Sequence, residues 1–333
     1  MDIGKPYLLF IADARDDLAA KTAQGIVDWR PEWCVGQLRL PACKADVGLP
    51  DMTPREAVER GAKSMIVGVA AAGGVMQGAW SESIITALEA GLDVASGLHT
   101  RLSSLPAVRK AAERCGRRLF DARYTDAEFH VGTGAKRPGR RLLTVGTDCS
   151  CGKKYTALAI ERELRDRGVR ADFRATGQTG ILISGRGVAV DAVVSDFVSG
   201  AAEWLTPAND PDHWDIVEGQ GSLLHPSYAG VTLGLLHGTQ PDAFVVCHEP
   251  TRRLMRGISY PMPTPRQCID VTLSAGRLTN PEIRCVGIAI DTSRLDGAAA
   301  RELLERTAGE LELPCVDAMR TGVDPIVDLL LLS

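Results

Sequence analysis

The stretch Leu142–Thr156, L-L-T-V-G-T-D-C-S-C-G-K-K-Y-T, joins an apolar run to a helical pattern through a turn bounded by Gly146 and Gly152 and closed by Lys153. A strand that turns sharply into a helix aims successive backbone N–H groups and the positive end of the helix dipole at one point. A lysine placed there completes a cradle for phosphate. The segment therefore implies an α/β fold with a place for a phosphorylated ligand. The residues expected to hold it are Gly146, Thr147, Asp148, Cys149, Gly152, Lys153, Lys154 and Thr156.

The turn departs from the usual Walker pattern in two ways. Five residues, not four, separate Gly146 from Gly152, and the lysine is followed by Lys154 rather than by Ser or Thr. The missing hydroxyl is the one that ligates magnesium during phosphoryl transfer, and an ammonium has no lone pair with which to replace it. Such a loop suits binding phosphates better than cleaving them. No metal site is expected, with Thr156 as the alternative hydroxyl should a metal bind.

Size and composition narrow the class. A chain of 333 residues is long for one core and comfortable for two domains, and 45% apolar with 24% charged residues is ordinary globular composition. A boundary is expected near the Gly132–Gly139 stretch, giving domains at 1–134 and 135–333. No apolar stretch reaches the roughly 20 residues needed to span a bilayer, and the N-terminus lacks the basic segment and cleavage site of a secretory signal. A cytoplasmic protein is expected. A net charge of −4 argues against nucleic acid as a partner. The basic pairs Lys136-Arg137 and Arg140-Arg141 read as a solvated linker. Nine cysteines without metal-ligand spacing suit a reducing compartment. Cys149, close to a helix N-terminus, is expected to have a lowered pKa.

Periodicity supplies the framework. Strands are expected at Tyr7–Ala12, Ser64–Ala70, Asp93–Ser96, Ala171–Ala175, Trp214–Val217, Ala243–Cys247 and Arg284–Ile290, with a short one near Pro314–Val316. Helices are expected at Ser81–Ala90, Lys153–Arg167, Val188–Ala202 and Ala298–Ala308. Strands alternating with helices imply parallel sheets with sites at the strand C-termini, which places Gly73, Gly74 and His99 on such an edge.

Further polar groups follow apolar runs. Glu218, in V-E-G-Q-G-S, ends a strand at the position where phosphate-loop folds hold a metal or a water, and it is equally a candidate base for a substrate amine. Gln178 and Thr179, in A-T-G-Q-T-G, together with Gln220 and Ser222, are candidate substrate contacts. Asp191 and Asp196 lie five apart, about 500° around a helix axis, so they do not form a tight pair. His225 is a candidate base, His248 follows another strand, and Arg252 is the preferred anchor for an acidic substrate.

Several segments together resemble the D-glutamate N-acetyltransferase family. They are Ala20–Glu32 (A-K-T-A-Q-G-I-V-D-W-R-P-E), Gly68–Val75, Gly91–Leu102, Gly146–Lys153, Ala175–Ile183, Val188–Phe197 and Val217–Pro226. The resemblance implies a Rossmann-like N-terminal domain and a P-loop NTPase-like parallel-sheet C-terminal domain of the dethiobiotin-synthetase kind. It also implies acetyl transfer from acetyl-CoA to the amine of D-glutamate, a partner N-acetyl-D-glutamate epimerase and a homo-oligomer. On that reading the loop holds the phosphates of CoA, one of Asp191, Asp196, Glu218 or His225 takes the proton of the amine, and backbone donors at Gly219–Gly221 stabilise the oxyanion. The rival readings are an ATP-dependent ligase or kinase and a non-catalytic nucleotide-binding protein.

Overall fold

A computed structural model of the chain describes residues 3–17, 19–69, 78–125 and 127–332. It divides into two compact units, Met1–Asp126 with Gly177–Ala189, and Ala127–Thr176 with Val190–Ser333.

The first unit is built on β1 (Tyr7–Ala12), α1 (Lys21–Trp29), β2 (Cys34–Arg39), α2 (Pro54–Glu59), β3 (Ser64–Val67), α3 (Gly78–Ala90), β4 (Asp93–Ser96), α4 (Pro106–Cys115) and β5 (Leu119–Asp121). Its strands form one parallel sheet in the order β2-β1-β3-β4-β5. Every residue of β1, β3 and β4 is buried, as central strands covered by helices on both faces require. The expected strand Ser64–Ala70 stops at Val67; Ala70, Gly73 and Gly74 lie outside the described residues. His99 follows β4 on an exposed turn, and its carbonyl accepts the Tyr124 hydroxyl at 2.8 Å.

The second unit carries β6 (Arg140–Gly146), α5 (Lys153–Asp166), β7 (Ala171–Arg174), then, after the excursion of α6 (Gln178–Ser184) into the first unit, α7 (Val198–Leu205), β8 (Trp214–Val217), α8 (Ala229–Thr239), β9 (Ala243–His248), α9 (Pro265–Gly276), β10 (Arg284–Ile290), α10 (Gly297–Leu311), β11 (Cys315–Val316) and α11 (Asp324–Leu331). The sheet is again parallel, in the order β11-β10-β9-β6-β8-β7. β6 sits between β8 and β9, and chain direction away from it reverses there, so the C-terminal end of β6 is where a ligand crevice opens. Leu143, Val145, Val217, Phe244 and Val246 from these strands pack with Leu235, Leu236, Cys268 and Ile269 of the covering helices in one core.

Two expectations fail here. Val188–Ala202 is not a helix; two 3-10 turns, Val190–Ala192 and Ser195–Phe197, precede α7, so the angular argument for Asp191 and Asp196 does not apply. The supposed solvated linker is buried in part. Arg141 is fully buried and donates to the carbonyls of Arg137, Pro138, Gly139, Thr206 and Pro207, while Arg137 donates to those of Thr206 and Gly238. Carbonyls that meet at the N-terminal end of the sheet need donors, and two guanidinium groups supply them.

Candidate phosphate cradle and active site

β6 ends at Gly146 and α5 begins at Lys153, so the intervening loop lies on the helix axis. A side chain at Gly146 would place its Cβ 2.5 Å from the Cys151 sulfur and 3.1 Å from Lys153 Nζ. Only glycine lets the lysine fold back beneath the loop. Ser150 and Gly152 adopt φ of +50° and +97°, alternating the hand of the backbone as anion-binding nests do. Among the described residues, the N–H groups of Ser150, Cys151, Gly152 and Lys153 have no hydrogen-bond acceptor. Four successive donors at a helix N-terminus form a site of positive potential.

Lys153 is buried, with Nζ donating to the Asp148 carbonyl at 2.7 Å and lying 3.6 Å from the Cys151 sulfur. Lys154 is half-buried and sets its ammonium 4.6 Å from the Tyr155 ring centroid. Thr156 is buried, and its hydroxyl accepts from the Cys247 thiol at 3.5 Å. Thr147 pairs through its hydroxyl with His248 Nδ1 at 2.9 Å. Burial pushes the Cys149 thiol up, outweighing the nearby Lys153 charge, so the expected lowering does not occur. Among the described residues, no group of three or more His, Cys, Asp or Glu side chains is arranged to hold a metal ion.

The loop is braced from outside. Asp148 is fully buried, and its carboxylate accepts from Cys149 N at 2.7 Å, Arg252 Nη1 at 2.7 Å and Arg256 N at 2.8 Å. Arg252 also donates to the carbonyls of Cys149 and Ser150 at 3.0 and 2.9 Å and to Glu249 Oε2 at 2.8 Å. Burial pushes the Glu249 carboxyl up, yet the Thr251 hydroxyl and N–H and the Arg252 guanidinium together hold it below the usual range. Arg252 thus braces the loop through both Asp148 and the carbonyls of Cys149 and Ser150. Sequence reasoning had no signal for this, because Asp148 and Arg252 are far apart in the chain and meet only across the β6–β9 pair.

The remaining candidates separate. Glu218 follows β8 and is buried, with Oε2 accepting Thr176 N at 3.1 Å; its carbonyl takes the Thr176 hydroxyl. Gln220 Nε2 donates to that hydroxyl at 3.1 Å. A Cβ on Gly219 would collide with the Thr144 carbonyl at 1.6 Å and approach Lys153 Cδ to 3.1 Å, so the Glu218–Gly221 turn lies directly against the lysine. The Gly219 N–H is engaged by the Thr144 hydroxyl at 3.0 Å, whereas those of Gln220 and Gly221 have no acceptor among the described residues.

Other candidates serve structure. Ser222 is buried and fastens two loops by donating to the Thr147 carbonyl at 3.1 Å. His225 is buried; Nδ1 accepts from Ser227 N at 3.1 Å, so Nε2 carries the hydrogen and donates to the Arg256 carbonyl at 3.2 Å. Both ring nitrogens are thus engaged by backbone groups. Asp191 and Asp196 are exposed on their 3-10 turns. Gln178 and Thr179 open α6 within the first unit, where Gln178 packs on Gly97. His248, not among the sequence's preferred bases, is pushed down to about 4 by burial and is therefore neutral near pH 7. A cavity of about 460 Å³ adjoins the cradle, bounded by Gly152, Tyr155 and Thr156 on one side and by Asp291, Met319 and Arg320 on the other.

A strand-turn-helix cradle at the centre of one parallel sheet, with a second parallel sheet in the other unit, is the geometry against which the known families stand. Residues 129–327 match the P-loop domain of DUF1611, a domain of unknown function, and residues 38–125 match its Rossmann-like N-terminal domain. The chain belongs to this family. It is 50% identical to a D-glutamate N-acetyltransferase of Tritonibacter scottomollicae, with 98% of this chain and 99% of the relative covered. A protein of the same name from a Pseudoalteromonas species is 47% identical over the same shares. A crystal structure of a DUF1611 family protein from Anabaena variabilis is similar throughout, with a TM-score of 0.87 at 30% identity, covering 99% of this chain and all of that one. The family's two domains, Rossmann-like and P-loop, correspond to the two parallel sheets described above.

Proposed function

We propose that the protein transfers an acetyl group from acetyl-CoA to the amine of D-glutamate. The observation that carries the reading is the cradle itself: four N–H donors with no acceptor among the described residues and a buried lysine, followed by Lys154 where a magnesium-ligating hydroxyl would stand. Such a site suits the pyrophosphate of CoA, which must stay intact through turnover, and the names of the relatives supply the acceptor.

Glu218 is the base in this proposal. An amine with a pKa well above neutrality must lose a proton before its lone pair attacks the thioester carbonyl, and Glu218 is the buried carboxylate beside the turn that borders Lys153. Attack places negative charge on the thioester oxygen, and the N–H groups of Gln220 and Gly221, which have no acceptor among the described residues, are the ones to donate to it. Collapse of the tetrahedral species breaks the C–S bond and releases the CoA thiolate, which takes up a proton. Mass spectrometry of acetyl-CoA incubated with D-glutamate, L-glutamate and other amino acids tests the reading. N-acetyl-D-glutamate is the expected product, and formation of none from any amino acid contradicts it.

A further inference from the structure

The cavity beside the cradle is too intimately joined to it to be a separate site, because Gly152 and Thr156 belong to both. A ligand whose phosphates lie on the N–H groups of Ser150–Lys153 and whose next group enters the cavity must carry a compact body directly attached to those phosphates. A nucleoside fits this description, and the apolar part of the wall, Ala289, Ile290, Ala318 and Met319, offers faces for a base. The charged wall residues are Asp291, Asp317 and Arg320. Asp317 is buried and fully engaged: Oδ2 accepts from Thr292 N and Oγ1, and Oδ1 accepts from Met319 N and Arg320 N. Asp291 holds Ser293 N through Oδ1 at 3.1 Å. Arg320 stands at the mouth, exposed, next to a Met319 that is 59% exposed. Its Nη2 donates to the Leu295 carbonyl at 2.9 Å, which fixes the guanidinium, while Nε and Nη1 have no acceptor among the described residues.

From this arrangement, and resting on the reading that the cradle takes the pyrophosphate of CoA, we infer that Arg320 binds the ribose 3′-phosphate of the acyl donor and so selects CoA over nucleotides that lack that group. The 5′-phosphates occupy the cradle end of the ribose, so a 3′-substituent leaves the sugar away from the cradle. Arg320 is the cation on the cavity wall able to meet it. A guanidinium held by one carbonyl and free at two other nitrogens presents a fork that matches two phosphate oxygens.

The test compares acetyl-CoA with acetyl-(3′-dephospho)-CoA in kcat/KM, alongside calorimetric binding of CoA and dephospho-CoA. The wild-type protein is expected to prefer the 3′-phosphorylated donor by about tenfold or more, as a charged hydrogen-bond pair at a solvent-facing site gives, with the preference shrinking as salt rises. Arg320→Gln should reduce the preference to within about twofold. Arg320→Lys, which keeps charge but loses the fork, should retain part of it. Equal use of both donors by the wild type, or an unchanged preference in Arg320→Gln, overturns the assignment while leaving acetyl transfer standing. Failure of the wild type to bind either compound overturns the underlying reading and this inference with it.

Discussion

Both units begin with the same construction, a parallel strand buried along all or nearly all of its length and feeding a helix, yet only one of them makes a cradle. In the first unit β1 passes to α1 through residues 13–20. Ala14 N closes on the Ile11 carbonyl, Ala19 N is taken by both the carbonyl and the carboxylate of Asp16, Ala20 N bonds the Asp17 carbonyl, and Asp13 accepts the Trp80 indole N–H at 2.8 Å. Three of the backbone donors there, those of Ala14, Ala19 and Ala20, are satisfied locally, and three aspartates, Asp13, Asp16 and Asp17, stand before the helix that Lys21 opens. In the second unit the corresponding turn leaves four N–H groups with no acceptor among the described residues and commits its one carboxylate to Cys149 N, Arg252 and Arg256 N. Strand-turn-helix topology supplies the location. The ligand chemistry comes from where the loop's own polar groups are sent.

Substitutions in the two turns test this contrast. Asp148→Ala should produce the largest change in stability, about 3–5 kcal/mol in chemical denaturation of the full chain, because it strands a mostly buried Arg252 beside an already crowded loop; a loss below 1 kcal/mol would mean the brace is dispensable. Lys153→Met should lower kcat/KM for acetyl-CoA by 100-fold or more. Lys21→Met, at the first position of α1, should change it by less than twofold, and equal effects would erase the distinction between the units.

Acid provides a third test. His248 sits at about 4 in the folded chain against an ordinary 6.5, with burial the main cause. Between those values the unfolded chain binds the extra proton, so stability is complete above pH 6.5 and falls as pH drops toward 4, by roughly 3 kcal/mol at the limit. His248→Asn should flatten that part of the pH–stability curve, and an unaltered slope contradicts the assignment. The smallest of the stability changes is expected from Asp13→Ala in the first unit, about 1–2 kcal/mol from the orphaned Trp80 N–H, measured by the same denaturation.

Much of this was legible in the sequence for a physical reason: central strands of parallel sheets are unbroken apolar runs. Trp214–Val217 and Arg284–Ile290 occur where the pattern puts them, and the turn from β6 into α5 announces itself by Gly146, Gly152 and Lys153. What escaped depends on distant partners. The bracing role of Arg252 is hidden because, besides its near neighbour Glu249, its acceptors are Asp148 and two loop carbonyls about a hundred residues upstream. His225 looked like a base because nothing in the chain reveals that Ser227 N and the Arg256 carbonyl occupy both ring nitrogens. Arg137 and Arg141 looked solvated because buried arginines that collect carbonyls have no local pattern. The apolar spacing of 188–202 is shared between 3-10 turns and α7, which periodicity alone does not separate.

The central claim is that the Gly146–Lys154 loop holds a phosphorylated acyl donor and leaves its phosphates intact. Calorimetric titration of the full-length protein with acetyl-CoA in the presence of a chelator, compared with magnesium ATP, tests it most directly. The account predicts saturable binding of acetyl-CoA without any divalent ion, abolished in Lys153→Met, and no release of inorganic phosphate from ATP. Tight, magnesium-dependent ATP binding with phosphate release, and no heat from acetyl-CoA, would contradict it.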